Sequence, residues 1–262
     1  MVRRHDRAAF MAGAHVFPGG AVDAADRDAA DARWCDGMDH AAVQIPGLGQ
    51  DAALALHVAA VRELFEEAGV LLARDASGTF ARLDDESSHE RFKQYRQDIH
   101  SSARTLRDML EREQLRLAAD ALVVCAHWVT PPLDTRRFDT RFFVARLPID
   151  QQPAHDEHET TESQWTSAAG AIAAAGRGEI ILPPPTWVTL GELERFRTVD
   201  AIFAWLCGRE IPRREPKLVE HDGSRALVMP VNPAYFGNGA DSGPIETRFV
   251  WTGDRWLPQG MG

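Results

Sequence analysis

The sequence predicts an α/β protein in which strands and helices alternate within one large domain. Three observations support this class. A short apolar strand at residues 15–20 ends in two glycines, and an amphipathic helical pattern covers Asp51 to Leu72. Two stretches rich in Val and Phe, residues 121–129 and 141–147, are typical of β-strands.

The other segments follow in order. Residues 80–119 carry many charges with apolar residues at helical intervals, which predicts one or two helices. Residues 163–166 are expected to add a strand, and residues 187–206 to form a helix after a run of prolines. Short strands and Gly/Pro turns then predict a C-terminal β-rich extension over 209–262, packed on a main domain of residues 1–208.

Composition and charge exclude several classes of function. With 44% hydrophobic and 26% charged residues the chain is typical of globular proteins, and no apolar run is long enough to span a bilayer. The formal net charge of −10 gives no reason to expect nucleic-acid or membrane partners. Three scattered cysteines and a polar N-terminus predict a reducing, cytoplasmic location.

The helix at Asp51 to Leu72 carries the residues with chemical interest. Glu63, Glu66 and Glu67 are spaced to project from nearly one helix face. Crowded carboxylates repel one another, and a hard divalent ion such as Mg²⁺ relieves that repulsion because it prefers oxygen ligands. Arg62 can reach Glu66 one turn later, and Gly69 is suited to end the helix. The pattern therefore predicts a helix of metal-binding carboxylates.

The segment Arg62-Glu-Leu-Phe-Glu-Glu-Ala-Gly69 resembles the second half of the Nudix box and matches each of its specified positions. The upstream glycine of that motif corresponds to Gly20, and Asp26 stands where the family usually has Glu. An insertion at about residues 27–54 separates the two halves.

Such an insertion is similar to that of the peroxisomal coenzyme A diphosphatase-like branch of the Nudix hydrolases. The same branch resembles this chain at the segments 17–26, 128–131, 137–143 and 182–185. The resemblance implies a Nudix α/β/α sandwich with a mixed sheet and a helical insertion. It also implies a strand before Arg3 that this sequence does not contain, so a sheet edge is expected to be exposed or paired with a second copy in a homodimer.

The resemblance also implies residue roles. Glu66 and Glu67 would be the principal ligands of Mg²⁺, for which Mn²⁺ can substitute. Glu63 would be a further ligand or a positioning acid, the backbone carbonyl near Gly20 another ligand, and Arg62 part of the catalytic set. The implied reaction is hydrolysis of a diphosphate bond in a small molecule.

The sequence indicates the general base and the substrate-binding residues less specifically than it indicates the metal ligands. Glu159 and Glu162 lie in an acidic segment of the right kind for a base or an additional ligand, although the pattern favours a solvated charged loop over these roles. Arg137 and Arg141 share a strand face with Asp139 and are candidates to bind phosphate. Edge-strand charges exposed to water are the alternative.

The sequence thus predicts a Mg²⁺-dependent Nudix pyrophosphohydrolase acting on coenzyme A-like or other nucleoside-diphosphate-linked substrates. Two alternatives stay open at this point. One is an ADP-ribose or NADH diphosphatase, and the other is a non-catalytic Nudix-fold module that binds a nucleotide.

Overall fold

The structure is a computed structural model and describes residues 1–6, 11–132, 137–153, 160–229 and 248–259. Its α-helices are α1 (Ala24–Ala29), α2 (Gln50–Ala68), α3 (Glu86–His100), α4 (Leu106–Glu113), α5 (Ala168–Gly176), α6 (Pro184–Leu193) and α7 (Val199–Leu206). Two short 3₁₀ helices cover Ala41–Val43 and Ala119–Ala121. None of the helices in the described ranges has the length and apolar character needed to cross a membrane.

The first strands are β1 (Val2–Arg4), β2 (His15–Val16), β3 (Cys35–Asp36), β4 (Ala73–Arg74), β5 (Arg116–Ala118), β6 (Leu122–Val129) and β7 (Asp139–Ala145). The later strands are β8 (Thr160–Ser163), β9 (Arg213–Arg214), β10 (Lys217–His221), β11 (Ser224–Val228), β12 (Arg248–Trp251) and β13 (Trp256–Pro258).

The chain forms two compact units, and it passes between them more than once. The first unit contains Met1–His5, Phe17–Val124 and Phe143–Gln164, and the second contains Asp6–Val16, Cys125–Phe142 and Trp165–Gly262. The expected extension therefore lies in the same unit as the residues that precede it, and the boundary after residue 208 stays a prediction.

Helix α2 forms the centre of the core of the first unit. Four apolar residues of the amphipathic pattern, Leu54, Val58, Val61 and Phe65, are almost completely buried, and Leu64 is partly buried. The ring of Phe65 meets Phe92 of α3 edge-on, with centroids 6.4 Å apart. Burial of this face holds α2 in place, so the backbone that carries the polar side chains of the helix is held in a defined position.

The end of α2 is set by Gly69. This residue has a φ of 68° and donates its backbone N–H to the Phe65 carbonyl at 2.9 Å. A left-handed conformation is nearly free of strain only for glycine, because a Cβ would approach the following carbonyl oxygen. The predicted stop at Gly69 is confirmed.

Short strands complete the first unit. Strand β5 pairs in parallel with β3 and antiparallel with β4, which makes a small mixed sheet. Strand β1 pairs antiparallel with β8, placing Arg3 opposite Glu162. The strand expected at residues 163–166 thus lies slightly earlier in the chain.

The second unit contains two sheets. Strand β6 pairs in parallel with β9 in a sheet of order β7–β6–β9. Strands β10 to β13 form an antiparallel meander, as expected for the C-terminal region. The single helix expected at residues 187–206 is divided into α6 and α7, because Thr198 adopts an extended conformation and caps α7 through the Ala201 N–H.

Replacing Gly69 by Ala tests the backbone argument. We expect Gly69→Ala to lower the free energy of unfolding by about 1 kcal/mol, since the new Cβ is strained at positive φ. Gly191→Ala is the matched control, because Gly191 lies inside α6 with open space around it. That control should raise stability by about 0.5 kcal/mol. Urea unfolding of both variants measures the difference, and equal effects would contradict the assignment.

Candidate active site

The guanidinium of Arg62 is the hub of the candidate site. It donates from Nε and Nη2 to the two oxygens of Asp26, at 2.8 and 3.0 Å. Its Nη1 donates to Glu63 at 2.8 Å and to Glu66 at 3.0 Å. Nη2 also donates to the carbonyl of Ala21 at 3.1 Å. These five contacts match the five N–H donors of an arginine, so the group is fully used.

Asp26 is the buried partner in this network, with a side chain only 1% exposed. It lies in the first turn of α1, where its carboxylate accepts the Asp23 N–H at 3.0 Å while Asp23 accepts the Asp26 N–H at 2.7 Å. This reciprocal capping box fixes the start of α1. Arg62 therefore joins the two halves of the motif that the insertion separates in sequence.

The environment of Arg62 favours its charged form strongly. Burial works against a charged guanidinium, but the hydrogen bonds with Asp26 and the nearby charge of Glu63 outweigh burial and raise the pKa of Arg62. A cation held in this way keeps Glu63 and Glu66 close together.

A glycine loop lies directly against the carboxylates. The N–H of Gly19 donates to Glu67 Oε2 at 3.3 Å. A Cβ at Gly20 would lie 2.2 Å from Glu63 Oε1, so another residue at this position would require the Glu63 carboxylate to move. Gly20 therefore lets the backbone approach Glu63 closely, whereas Gly19 has open space where a Cβ would lie and contributes its N–H to Glu67. The structure thus brings together Gly20, Arg62, Glu63, Glu66 and Glu67, and the roles assigned to them stay predictions.

Helix α3 contributes two residues that the sequence analysis missed. Arg96 donates from Nε to the backbone carbonyl of Glu66 at 2.6 Å, and His100 Nδ1 lies 3.7 Å from Glu66 Oε2. The two side chains are four residues apart and so share one face of α3. The sequence does show two basic residues four positions apart within residues 80–119. That spacing alone did not indicate that they contact α2.

The other predicted site residues lie apart from this network. Glu162 is exposed on β8, and Glu159 falls outside the described residues. In the second unit, Arg137 pairs with Glu215 at 2.7 Å and Arg141 donates to Asp139. The roles assigned to these four residues stay predictions.

The donors around Arg62 fit a hard divalent cation in type. Three carboxylates, of Asp26, Glu63 and Glu66, contact one guanidinium, and the glycine loop contacts Glu67 and lies against Glu63. Within the described ranges, however, no three His, Cys, Asp or Glu side chains are already grouped to hold an ion. Glu63 and Glu66 face Arg62 instead, so metal binding requires their carboxylates to reorient.

The comparisons with known proteins agree on one family. Residues 44–196 match the family model described as the NUDT19 Nudix domain, a range that includes Arg62 and the three glutamates. The human acyl-coenzyme A diphosphatase NUDT19 is 31% identical over 257 residues, with 80% of this chain and 64% of that protein covered. The putative nudix hydrolase 7 of Caenorhabditis elegans is 31% identical over 204 residues, covering 76% and 57% respectively.

A solved structure gives the same result for the fold. The crystal structure of a Nudix hydrolase from Alicyclobacillus acidocaldarius aligns with a TM-score of 0.64 and 27% identity, over 78% of this chain and 86% of that one. The predicted Nudix α/β fold is confirmed. This chain spans 64% and 57% of the length of the two curated relatives named above.

Removing the Arg62 guanidinium tests whether it is the hub. We expect Arg62→Met to lower the free energy of unfolding by about 3 kcal/mol, because it leaves the buried Asp26 carboxylate without its cation. Arg33→Met is the control, since the Arg33–Asp31 pair is exposed and should contribute nothing measurable. Denaturant unfolding compares them.

A second variant separates loss of charge pairing from loss of packing. Adding Asp26→Asn to Arg62→Met removes the buried carboxylate charge that the single variant leaves without its arginine. The double variant should therefore recover part of the lost free energy of unfolding. Strict additivity of the two single changes would argue against direct coupling.

Proposed function

Since this chain belongs to the Nudix hydrolase family, we propose that it is a Mg²⁺-dependent pyrophosphohydrolase that cleaves the diphosphate bond of a coenzyme A-like substrate. The observation that carries the proposal is the Arg62 network, in which two glutamates of α2 share one guanidinium and the glycine loop touches the third. A nucleotide-binding module without catalysis would not need to keep three carboxylates in this arrangement.

The glutamates of α2 are proposed to hold the metal. Glu66 and Glu67 would be the main ligands, with Glu63 and the carbonyl of Gly20 completing the oxygen set. When bound, the ion would neutralise the diphosphate and lower the pKa of an attacking water. Arg62 restrains the glutamates, and its bidentate bond to Asp26 fixes the guanidinium itself.

Proton removal from the attacking water needs a carboxylate near the metal. Glu63 is the best placed of the described candidates, since its side chain contacts the Arg62 hub and lies next to Gly20. Glu159 and Glu162 remain proposals for the same role.

The substrate class follows from the named relatives. The human relative is called an acyl-coenzyme A diphosphatase, and this chain is 31% identical to it over an alignment that covers 80% of the chain. We therefore infer a coenzyme A-like substrate, cleaved to adenosine 3′,5′-bisphosphate and a phosphopantetheine. ADP-ribose and NADH also contain a diphosphate, so they serve as competing substrates in the test.

Metal binding is tested with Glu66→Gln, which removes the negative charge and preserves the shape of the side chain. We expect at least about a 10-fold loss of Mn²⁺ affinity, because even changes behind a metal ligand cost ~10- to 100-fold. Electron paramagnetic resonance of Mn²⁺ reports this without reference to turnover. Glu111→Gln, on the exposed face of α4, is the control and should bind Mn²⁺ normally. Unchanged affinity in Glu66→Gln would remove Glu66 from the site.

The reaction is tested by chromatography of products after incubation with Mg²⁺ and coenzyme A, acyl-coenzyme A, NADH or ADP-ribose. We expect adenosine 3′,5′-bisphosphate from the coenzyme A substrates at higher rates than any product from the other two. Preferred cleavage of NADH or ADP-ribose would assign the alternative activity. If all four compounds stay intact, the hydrolase proposal is wrong.

A further inference from the structure

One face of the β7–β6–β9 sheet concentrates basic side chains. His127 of β6 and Arg213 of β9 are register partners, so their side chains project to the same side. Asp139 of β7 accepts hydrogen bonds from His127 Nε2, at 2.9 Å, and from Arg141. We call the side chains of Arg137, Arg141, Arg213 and His127 the basic face.

The opposite side of the same strands is built differently. Trp128 is buried there, and Arg214 lies over its ring with the guanidinium carbon 5.2 Å from the centroid. Arg214 also makes two hydrogen bonds to Glu192, at 2.9 and 2.5 Å. Its charge is therefore matched by a carboxylate, and Arg214 has a structural role.

Charge on the basic face is less well balanced. Three guanidinium groups share two carboxylates: Arg137 and Arg213 both pair with Glu215, and Arg141 pairs with Asp139. Both contacts to Glu215 are 2.7 Å long. One positive charge is thus left in excess within this group of side chains.

Burial and the positive charges on this face lower the pKa values of neighbouring basic groups. Burial and the neighbouring Arg213 lower the pKa of Arg141, whose side chain is only 10% exposed. Burial, followed by the charges of Arg141 and Arg213, lowers the pKa of His127 to about 4. His127 is consequently neutral near pH 7, and an anion placed here would relieve the repulsion between the arginines.

We propose that the basic face binds a phosphomonoester dianion through the guanidinium groups of Arg141 and Arg213. Each guanidinium has five N–H donors and, among the described residues, makes one ion pair to a carboxylate, so donors remain for phosphate oxygens. Arginine is suited to this task because its planar fork matches two phosphate oxygens at once.

The identity of the ligand rests on the proposed function. A coenzyme A nucleotide carries a 3′-phosphate on its ribose, separate from the diphosphate that is cleaved, and ADP-ribose and NADH lack it. A ribose phosphomonoester of this kind is the ligand class that the guanidinium groups of the basic face fit.

The test is calorimetric binding of adenosine 3′,5′-bisphosphate, ADP-ribose and inorganic phosphate to the whole chain without metal. We expect the bisphosphate, which carries phosphomonoesters, to bind at least about 10-fold more tightly than ADP-ribose, which has none, and Arg213→Met to remove that preference. Arg177→Met is the matched control, since Arg177 is exposed and paired with Glu179 away from this sheet. It should bind like the unmodified protein.

A second variant guards against misfolding. Arg213→Lys keeps the charge but loses the planar fork of the guanidinium, and it should bind the bisphosphate with intermediate affinity.

Equal binding of inorganic phosphate and bisphosphate, with both lost in Arg213→Met, would support the anion site and assign it to free phosphate. Equal affinity for the bisphosphate and ADP-ribose without any effect of Arg213→Met would overturn the proposal. Because no hydrolysis is measured, this result is independent of the reaction proposed above.

Discussion

The five hydrogen bonds of Arg62 are the interaction on which the candidate site depends. One guanidinium fixes the carboxylate of Asp26 in α1, two glutamates of α2 and the carbonyl of Ala21 beside the glycine loop. No shorter or less branched side chain has enough donors for this geometry. Core packing holds α2 in position, and the hydrogen bonds of Arg62 then fix the positions of the carboxylates.

Charge balance explains why this arrangement suits a cation. Four carboxylates face Arg62 or the adjacent glycine loop, and Arg96 and His100 of α3 contact Glu66. Buried acids without enough positive charge are costly, and a bound divalent ion is the usual remedy. The basic face of the second unit has the reverse imbalance, so the two units favour ligands of opposite charge.

Local patterns in the sequence predicted much of the site. The spacing of Glu63, Glu66 and Glu67, the reach of Arg62 to Glu66 and the stop at Gly69 all follow from helix geometry over a few residues. The contacts of Arg96 and His100 with Glu66 could not be predicted in this way, because they join helices that are far apart in sequence. Two-residue strands such as β3 and β4 also escaped prediction, since they are too short to show alternation.

The wide separation of Asp26 and Arg62 along the chain has a consequence for how the protein folds. Their bond spans 36 residues, and closing a loop of that length costs entropy before the contact returns any free energy. Contacts of high sequence separation generally slow folding and depend on structure already formed nearby. The Asp26 contact is therefore expected to form only once α1 and α2 have been brought together, whereas the glutamates of α2 already lie near one another along the helix. The proposed metal site would then depend on both helices being in place.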